Sequence, residues 1–538
     1  MARFQRWKNL RIGSQVFFFI VFFILLWQAR YPLEGPFPMD LFLRLDPLLG
    51  ILLSVAGRVV LLSFTLSLII IVLTLIFGKA FCGWVCPLGT TLDVTDHLMK
   101  SRAHGIRIKT RWWKYVVLIV LVVTAVLSYQ GLWFFDPLVL LDRTATGVIL
   151  PVFWFLIKEL FAATFNIPVI QNPAFSLYNP LAGVIIPLSQ PIFLHSMSIL
   201  VFFTGILALE KLHRRFWCRS LCPLGALLGV FGHRAPFQRT VKPDCNDCAL
   251  CQENCKMGAI HKDFDHTNRA DCILCLNCAV ICPQQVTTYE FASLKHSPAA
   301  FDLTRRRWIG ATVAGVAVVP LIKTTRTTHQ LSSRSLRPPG ALPEDQFLDR
   351  CVRCQECVQV CSSTGGCLQP SLLETGWEGF WSPIANMRLG YCEYQCNLCS
   401  KVCPSGAIHK ITLEDKQSRK MGRAFFDRNR CIPYDRMEDC LVCEEHCPTP
   451  EKAILFDVRE SRRPDGTIAN VKFPYVRLDR CIGCGICEYI CPLPGESGVY
   501  CTRENEERWG QKISIVVSDS QRGQVTSPLV SGGELKGG

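Results

Sequence analysis

The sequence predicts an α-helical membrane domain joined to small, cysteine-rich α+β domains. Three observations carry that prediction. Apolar runs with basic flanks fill the chain to about residue 212, one cysteine quartet recurs from Cys245 onward, and the apolar part contains an internal duplication. At 538 residues there is room for several domains, and the composition is split between the two regimes rather than blended.

The apolar runs near Ser14–Ala29, Val59–Phe77, Tyr115–Phe135 and Ile192–Leu209 approach the ~20 residues that cross ~30 Å of hydrocarbon. A buried core helix can be as apolar, but four such runs with basic flanks and aromatic ends favour a bilayer. The basic residues fall on alternate connections. Arg3, Arg6, Lys8 and Arg11 precede the first run. Lys100, Arg102, Arg107, Lys109, Arg111 and Lys114 lie between the second and third, and Lys211, Arg214, Arg215 and Arg219 follow the fourth. The positive-inside bias then puts the N-terminus and both basic connections in the cytoplasm. Residues 343–538 hold 24 Lys+Arg against 27 Asp+Glu, so the overall +14 comes from the membrane half and argues against nucleic-acid binding. The stretch Gly147–Leu188 is apolar but interrupted by Pro151, Pro168, Pro173, Pro180 and Pro187, and is expected to be interfacial or re-entrant.

The duplication pairs Leu45-Asp46-Pro47-Leu48 with Tyr178-Asn179-Pro180-Leu181. Each precedes an apolar run ending in Cys-x3-Cys-Pro, with Cys82 and Cys86 before Pro87 and Cys218 and Cys222 before Pro223. Two parallel copies of one unit would bring the four thiols to one face. A seventh metal centre, two redox dithiols, and plain packing all remain open for them.

Thirty cysteines in one chain suggest either a disulfide scaffold or a metal protein. Disulfide frameworks belong mostly to short secreted chains, whereas one spacing recurs here. Cys245, Cys248, Cys251 and Cys255 follow C-x2-C-x2-C-x3-C, as do Cys272, Cys275, Cys278 and Cys282 with Pro283 next. This is the run that wraps a [4Fe–4S] cube in bacterial ferredoxins, with the fourth Cys ligating the other cluster of a pair. Cys282 is therefore grouped with Cys245, Cys248 and Cys251, and Cys255 with Cys272, Cys275 and Cys278. A structural zinc site would instead pair two short C-x2-C elements across a longer gap. Cys351, Cys354, Cys357 and Cys361 keep the standard spacing, as do Cys481, Cys484, Cys487 and Cys491. Cys392, Cys396, Cys399 and Cys403 open the first gap by one residue, and Cys431, Cys440, Cys443 and Cys447 by six. Six quartets predict six [4Fe–4S] clusters in bacterial-ferredoxin-like domains. Cys367 and Cys501 are left over and read as packed thiols.

No C-x-x-C-H for covalent haem and no convincing nucleotide fingerprint occur. Asp46, Asp136 and His195 fall near the non-cytoplasmic ends of the runs. They are the candidate proton-accepting catalytic residues, although an Asp-Pro-Leu turn is also a plain helix cap. Arg305, Arg306 and Arg307 precede a short apolar run to Ile322. That pattern suits a twin-arginine-like export signal, retained as a fifth span.

The domains follow as 1–240 (membrane, four spans, two Cys-x3-Cys-Pro elements), 241–295 (cytoplasmic, two clusters), 304–342 (fifth span and linker), 343–510 (periplasmic, four clusters) and 511–538 (tail). Residues 1–295 resemble the NapH-type membrane quinol-dehydrogenase ferredoxin, and 304–510 resemble the NapG/MauM-type polyferredoxins, whose widened gap matches Tyr391-Cys392-Glu393-Tyr394-Gln395-Cys396. The resemblance implies a multi-pass protein of the bacterial inner membrane that passes electrons from the quinone pool to a periplasmic reductase or multihaem cytochrome, within a multi-subunit complex. The alternative is a membrane ferredoxin acting as a metal or thiol reductase in the assembly of a respiratory enzyme.

Overall fold

The computed structural model describes residues 2–33, 35, 37–99, 111–130, 135–182, 186–187, 193–261, 263–291, 303–328 and 332–510. The basic residues Lys100, Arg102, Arg107 and Lys109, and the tail 511–538, lie outside them.

The first part is a helical bundle. Helix α1 is Ala2–Trp27. Helix α2 (Pro47–Gly57) starts where Asp46 caps it and Pro47 presets the first turn, and stops at Arg58 in the left-handed region. Helices α3 (Ser67–Phe77), α4 (Pro87–Met99) and α5 (Trp113–Val126) follow. Helix α6 (Pro137–Phe165) is capped by Asp136 and runs on through a π-helical turn at Ala145–Ile149. Helix α7 (Pro168–Leu181) carries Pro173 and Pro180 inside it, and α8 (Ser196–Ala208) and α9 (Pro223–Gly232) complete the bundle. The prolines expected to interrupt Gly147–Leu188 thus leave much of it helical. Pro151 falls just after the π turn, whose wider hydrogen-bond ring eases the clash a proline makes one turn back.

By length and composition, Arg3–Trp27 and Pro137–Phe165 could cross a membrane, while Leu62–Phe77 and Trp113–Val126 are shorter apolar helices.

A first ferredoxin unit follows, closed by strand β1 (Phe237–Val241) antiparallel to β2 (Thr287–Phe291), with Val241 opposite Thr287. Helix α10 (Arg305–Thr328) then lies along α5, where Gly315 fits against Val123 and Arg307 stacks over Trp112. The second ferredoxin unit holds three further antiparallel pairs. These are β3 (Leu368–Pro370) with β4 (Pro383–Ala385), β5 (Arg423–Phe426) with β8 (Val499–Thr502), and β6 (Ile454–Arg462) with β7 (Ile468–Val476).

The two units sit at opposite ends of the bundle. Phe4, at the start of α1, meets Tyr289 of the first unit, and Tyr31, just beyond its end, donates its amide to Ser363 of the second. A helix of 26 residues spans about 39 Å between them. Helix α5 repeats the relation. Lys114 at its start is ion-paired with Asp271 of the first unit, and Gln130 past its end accepts from Arg353 of the second.

Candidate metal centres

The four quartets with standard spacing share one backbone device. The residues flanking the second cysteine lie in the left-handed region in each: Asp247 and Ala249, Leu274 and Leu276, Arg353 and Gln355, Gly483 and Gly485. Alternation of this kind turns successive backbone N–H groups inward and makes an anion-binding concavity, such as holds an iron–sulfur cluster. The third cysteine then enters a short helix, as at Leu250–Glu253, Asn277–Ile281, Glu356–Ser362 and Ile486–Tyr489. That helix carries the fourth cysteine away from its own loop.

Five of the six fourth cysteines arrive at a neighbouring loop. Cys255 lines one cavity with Cys272, Cys275 and Cys278. Cys361 lines a second with Cys392, Cys396 and Cys399, and Cys447 a third with Cys481, Cys484 and Cys487. Cys403 stands beside Cys351 and Cys357, and Cys491 beside Cys431 and Cys443. Cys245 and Cys248 neighbour Cys251. Among the described residues, no three His, Cys, Asp or Glu side chains gather closely enough to hold a single metal ion. Zinc would need its thiolates ~2.3 Å from one point. Thiols spread around a cavity suit a cube with one iron at each corner, so the donor set fits [4Fe–4S] chemistry.

Side chains that the motif pattern leaves out reach the sulfurs. The Tyr289 hydroxyl is 3.1 Å from Cys278 Sγ, Thr449 Oγ1 is 3.3 Å from Cys447 Sγ, and Arg239 donates to Cys251 Sγ at 3.7 Å. Cys367 Sγ lies 3.9 Å from Cys361 Sγ. Cys367 and Cys501 are both buried, and each lines a cluster cavity.

In the bundle the two Cys-x3-Cys-Pro elements share one build. Cys86 N–H donates to the Phe81 carbonyl and Cys222 N–H to that of Trp217, each five residues back. Pro87 and Pro223 then open α4 and α9, and the Gly225 N–H donates to Cys222 Sγ at 3.2 Å. All four thiols are electrostatic neighbours. Cys82 and Cys218 also pack, with Cys255, Cys272 and Cys275, against Met257, Ala259 and Ile273 of the first ferredoxin unit. Arg215 ties the region together, donating to the carbonyls of Cys82 and Gly89 and to Asp93, which also pairs with Lys256. Burial alone would lift the Asp93 carboxyl, but Arg215 and Lys256 hold it far below the usual carboxylate range.

Asp46 and Asp136 are fully buried. Asp46 Oδ1 accepts from the Leu48 and Leu49 amides, and Asp136 Oδ1 from those of Leu138 and Val139, so both are helix caps. The two carboxyl groups are also close neighbours in the bundle interior, and the Oδ2 atom of each lacks a hydrogen-bond partner. His195 stands apart, with its Nε2 3.1 Å from Glu374 Oε1 of the second ferredoxin unit.

A family described as a 4Fe-4S binding domain matches residues 59–104 and 196–240, and a second of the same description matches 474–493. The first covers both Cys-x3-Cys-Pro elements. The ferredoxin-type protein NapG of Escherichia coli is 34% identical over 165 residues, 30% of this chain and 69% of that protein. The methylamine utilization ferredoxin-type protein MauM of Methylorubrum extorquens is 32% identical over 169 residues, 30% of this chain and 73% of that protein. The putative electron transport protein YccM of Escherichia coli is 26% identical over 241 residues, 44% of this chain and 57% of that protein. No solved structure matches.

Proposed function

From the premise that this chain belongs to the family of the ferredoxin-type proteins NapG and MauM, iron–sulfur proteins of electron transfer, we propose that it is a membrane quinol dehydrogenase component delivering electrons to a periplasmic oxidoreductase. The observation that carries this reading is the bundle with a ferredoxin unit at each end, some 39 Å of helix apart. That length exceeds the ~30 Å of hydrocarbon in a bilayer, and α1 and α6 are long and apolar enough to cross it. The first part of the chain then corresponds to a NapH-type membrane subunit fused to the NapG/MauM-type part. The first ferredoxin unit faces the cytoplasm and the second the periplasm, with α10 as a further span. The multi-pass protein resides in the bacterial inner membrane and works in a multi-subunit complex, with a reductase or multihaem cytochrome as acceptor.

The 24 quartet cysteines hold six [4Fe–4S] clusters, each supplying one-electron storage. The chain's own residues supply anionic ligands and inward backbone amides. Asp46 and Asp136, neighbouring carboxyl groups in the bundle interior, are the groups that accept protons released from quinol, and His195 holds the second unit against the bundle. Cys82, Cys86, Cys218 and Cys222 either hold a seventh centre next to the cytoplasmic cluster pair or act as dithiols. The second option favours the other reading, a metal or thiol reductase in the assembly of a respiratory enzyme.

The test is anaerobic purification with iron and sulfide quantitation, followed by mixing with a quinol analogue. About 24 irons per chain and bleaching of cluster absorbance by quinol are expected. Stoichiometric zinc with little iron overturns the cluster reading. Full clusters that quinol never reduces overturn the dehydrogenase reading.

A further inference from the structure

Where the bundle meets the second ferredoxin unit, several buried polar side chains do not satisfy one another. Asp142 and Arg143 of α6 are 2% and 1% exposed, yet both Asp142 carboxylate oxygens and all three Arg143 guanidinium nitrogens lack a hydrogen-bond partner. Thr146, in the π turn one helical turn on, is fully buried with an orphaned hydroxyl. From the other side, the amide group of Gln355 and Oε2 of Glu356 are orphaned as well. A buried polar atom without a partner costs about 1–3 kcal/mol, and a charged one more. A seam that gathers this many is built to receive a polar molecule.

The seam is narrow and held from both sides. Gly147 of α6 packs on Ile199 and the Gln355 amide oxygen. The Arg143 guanidinium lies 4.1 Å from the centre of the Trp381 ring, a contact that fixes its plane and leaves its N–H groups free to donate. Trp381 is itself fastened to the bundle through Ser198, and Arg353 through the Gln130 carbonyl. Between Arg353 and Gln355 sits Cys354, which packs with Val352 into the hydrophobic core of the bundle rather than into that of its own unit. A π turn within an α-helix frequently marks a functional site. The acids here are not grouped as a metal ion would need, among the described residues. Beyond the π turn, α6 turns an exposed apolar face outward through Val152, Phe153 and Leu156, a track suited to a hydrocarbon tail.

We propose that this seam binds the quinol head group, with Asp142, Arg143, Thr146 and Gln355 as its hydrogen-bonding partners and Cys354 as the nearest ligand of the accepting cluster. This rests on the quinol reading above and gives it a site. The Asp142 carboxylate accepts from one ring hydroxyl, while Arg143 and Gln355 donate to the ring oxygens as they become carbonyls. Both O–H bonds break. The two protons pass to Asp142 and, behind Arg143, to the Asp46–Asp136 pair. Cys351, Cys354, Cys357 and Cys403 would hold a [4Fe–4S] centre here, which would take the two electrons one at a time, the first passing on to the next cluster of the unit before the second leaves the quinol. Electrons therefore enter the second ferredoxin unit directly from the bundle.

The experiment uses the full chain, purified anaerobically with its clusters and photolysed with a short-tailed azidobenzoquinone. Label is expected in peptides covering 137–149 and 351–358, and should be displaced by unlabelled decylquinol. Asp142→Asn and Arg143→Gln should each weaken binding at least tenfold, with iron content and dithionite-reducible absorbance unchanged. If wild-type protein oxidises quinol but the label maps elsewhere, or both variants bind as wild type does, the site is wrong while the quinol reading stands. If wild-type protein neither binds nor oxidises quinol, both fall. Should the variants fail to fold, the wild-type labelling map decides alone.

Discussion

Gly83 and Ile273 meet backbone to backbone: a Cβ placed on Gly83 would fall on the Ile273 carbonyl oxygen, far inside van der Waals contact. Gly83 follows Cys82 and Ile273 follows Cys272, so the first Cys-x3-Cys-Pro element touches the ferredoxin loop with no side chain between them. Only glycine permits that approach. Gly83→Ala should cost about 1–3 kcal/mol, as overpacking does. It should also strip iron from the centre nearest this loop before the others. Chemical denaturation and iron per chain measure both, and wild-type values for each would mean that the loop simply moves aside.

Crossed ligation makes a prediction that sequence order reverses. Cys255 closes the first quartet but shares its cavity with Cys272, Cys275 and Cys278. Cys255→Ser and Cys275→Ser should therefore lose the same electron paramagnetic resonance signal, and Cys248→Ser a different one. If Cys255→Ser matches Cys248→Ser instead, each quartet binds its own cluster.

Cys367 stands where it can tune a cluster without ligating it. Its thiol lies 3.9 Å from Cys361 Sγ, within reach of an S–H···S hydrogen bond that draws electron density from a ligating sulfur. Such bonds raise a cluster's reduction potential. Cys367→Ala should lower the potential of one cluster in a redox titration and leave total iron unchanged. Loss of four irons would instead make Cys367 a ligand.

What the sequence could and could not disclose follows from which interactions are local. The quartets are legible because a cube imposes its spacing on consecutive residues. The left-handed residues inside those loops are not. Gly483 and Gly485 hint at them, but Asp247, Leu274 and Arg353 occupy the same conformation without any compositional sign. Helix α6 was hidden by Pro151, since the π turn before it leaves no mark in hydropathy. Asp46 and Asp136 could be named from their Asp-Pro-Leu turns, but their approach to each other joins segments 90 residues apart. The seam of Asp142 and Arg143 with Gln355 is a product of docking, and nothing local to either segment announces it.

Glu344 fastens the start of the second ferredoxin unit to its end. Its Oε1 lies 2.6 Å from Arg337 and its Oε2 3.2 Å from Arg508. Burial would raise its pKa, but Arg337 and then Arg508 outweigh burial and bring it to about 2, from an ordinary 4.5. A carboxylate depressed on folding stabilises the protein fully above its unfolded pKa and loses that contribution as pH falls toward the folded one. Glu344 should therefore contribute about 3 kcal/mol at pH 7, lost between about pH 4.5 and pH 2. Denaturant midpoints of wild type and Glu344→Gln, measured from pH 7 down to pH 3, should converge. A gap that persists unchanged at pH 3 would assign the stabilisation to something other than ionisation.

The four bundle cysteines give the sharpest test of the duplicated unit. Cys86 and Cys222 each cap a helix opened by proline, and the Gly225 amide bonded to Cys222 shows how such a cap stabilises a thiolate. Cys82 and Cys218 sit a turn earlier, against the residues that line the cavity of Cys272, Cys275 and Cys278. Arg215, Lys79 and Lys114 surround the site with positive charge, as four converging thiolates would require. A centre shared between the two copies needs one thiol pair from each, so neither copy can hold it alone. Cys86→Ala and Cys222→Ala, in different copies, should then lose the same spectroscopic signal and the same step of electron transfer, with the quartet clusters intact. Two independent dithiols would respond separately, each variant losing only its own pair's reactivity toward a thiol reagent. If either variant keeps full iron content and full turnover, the shared centre is wrong.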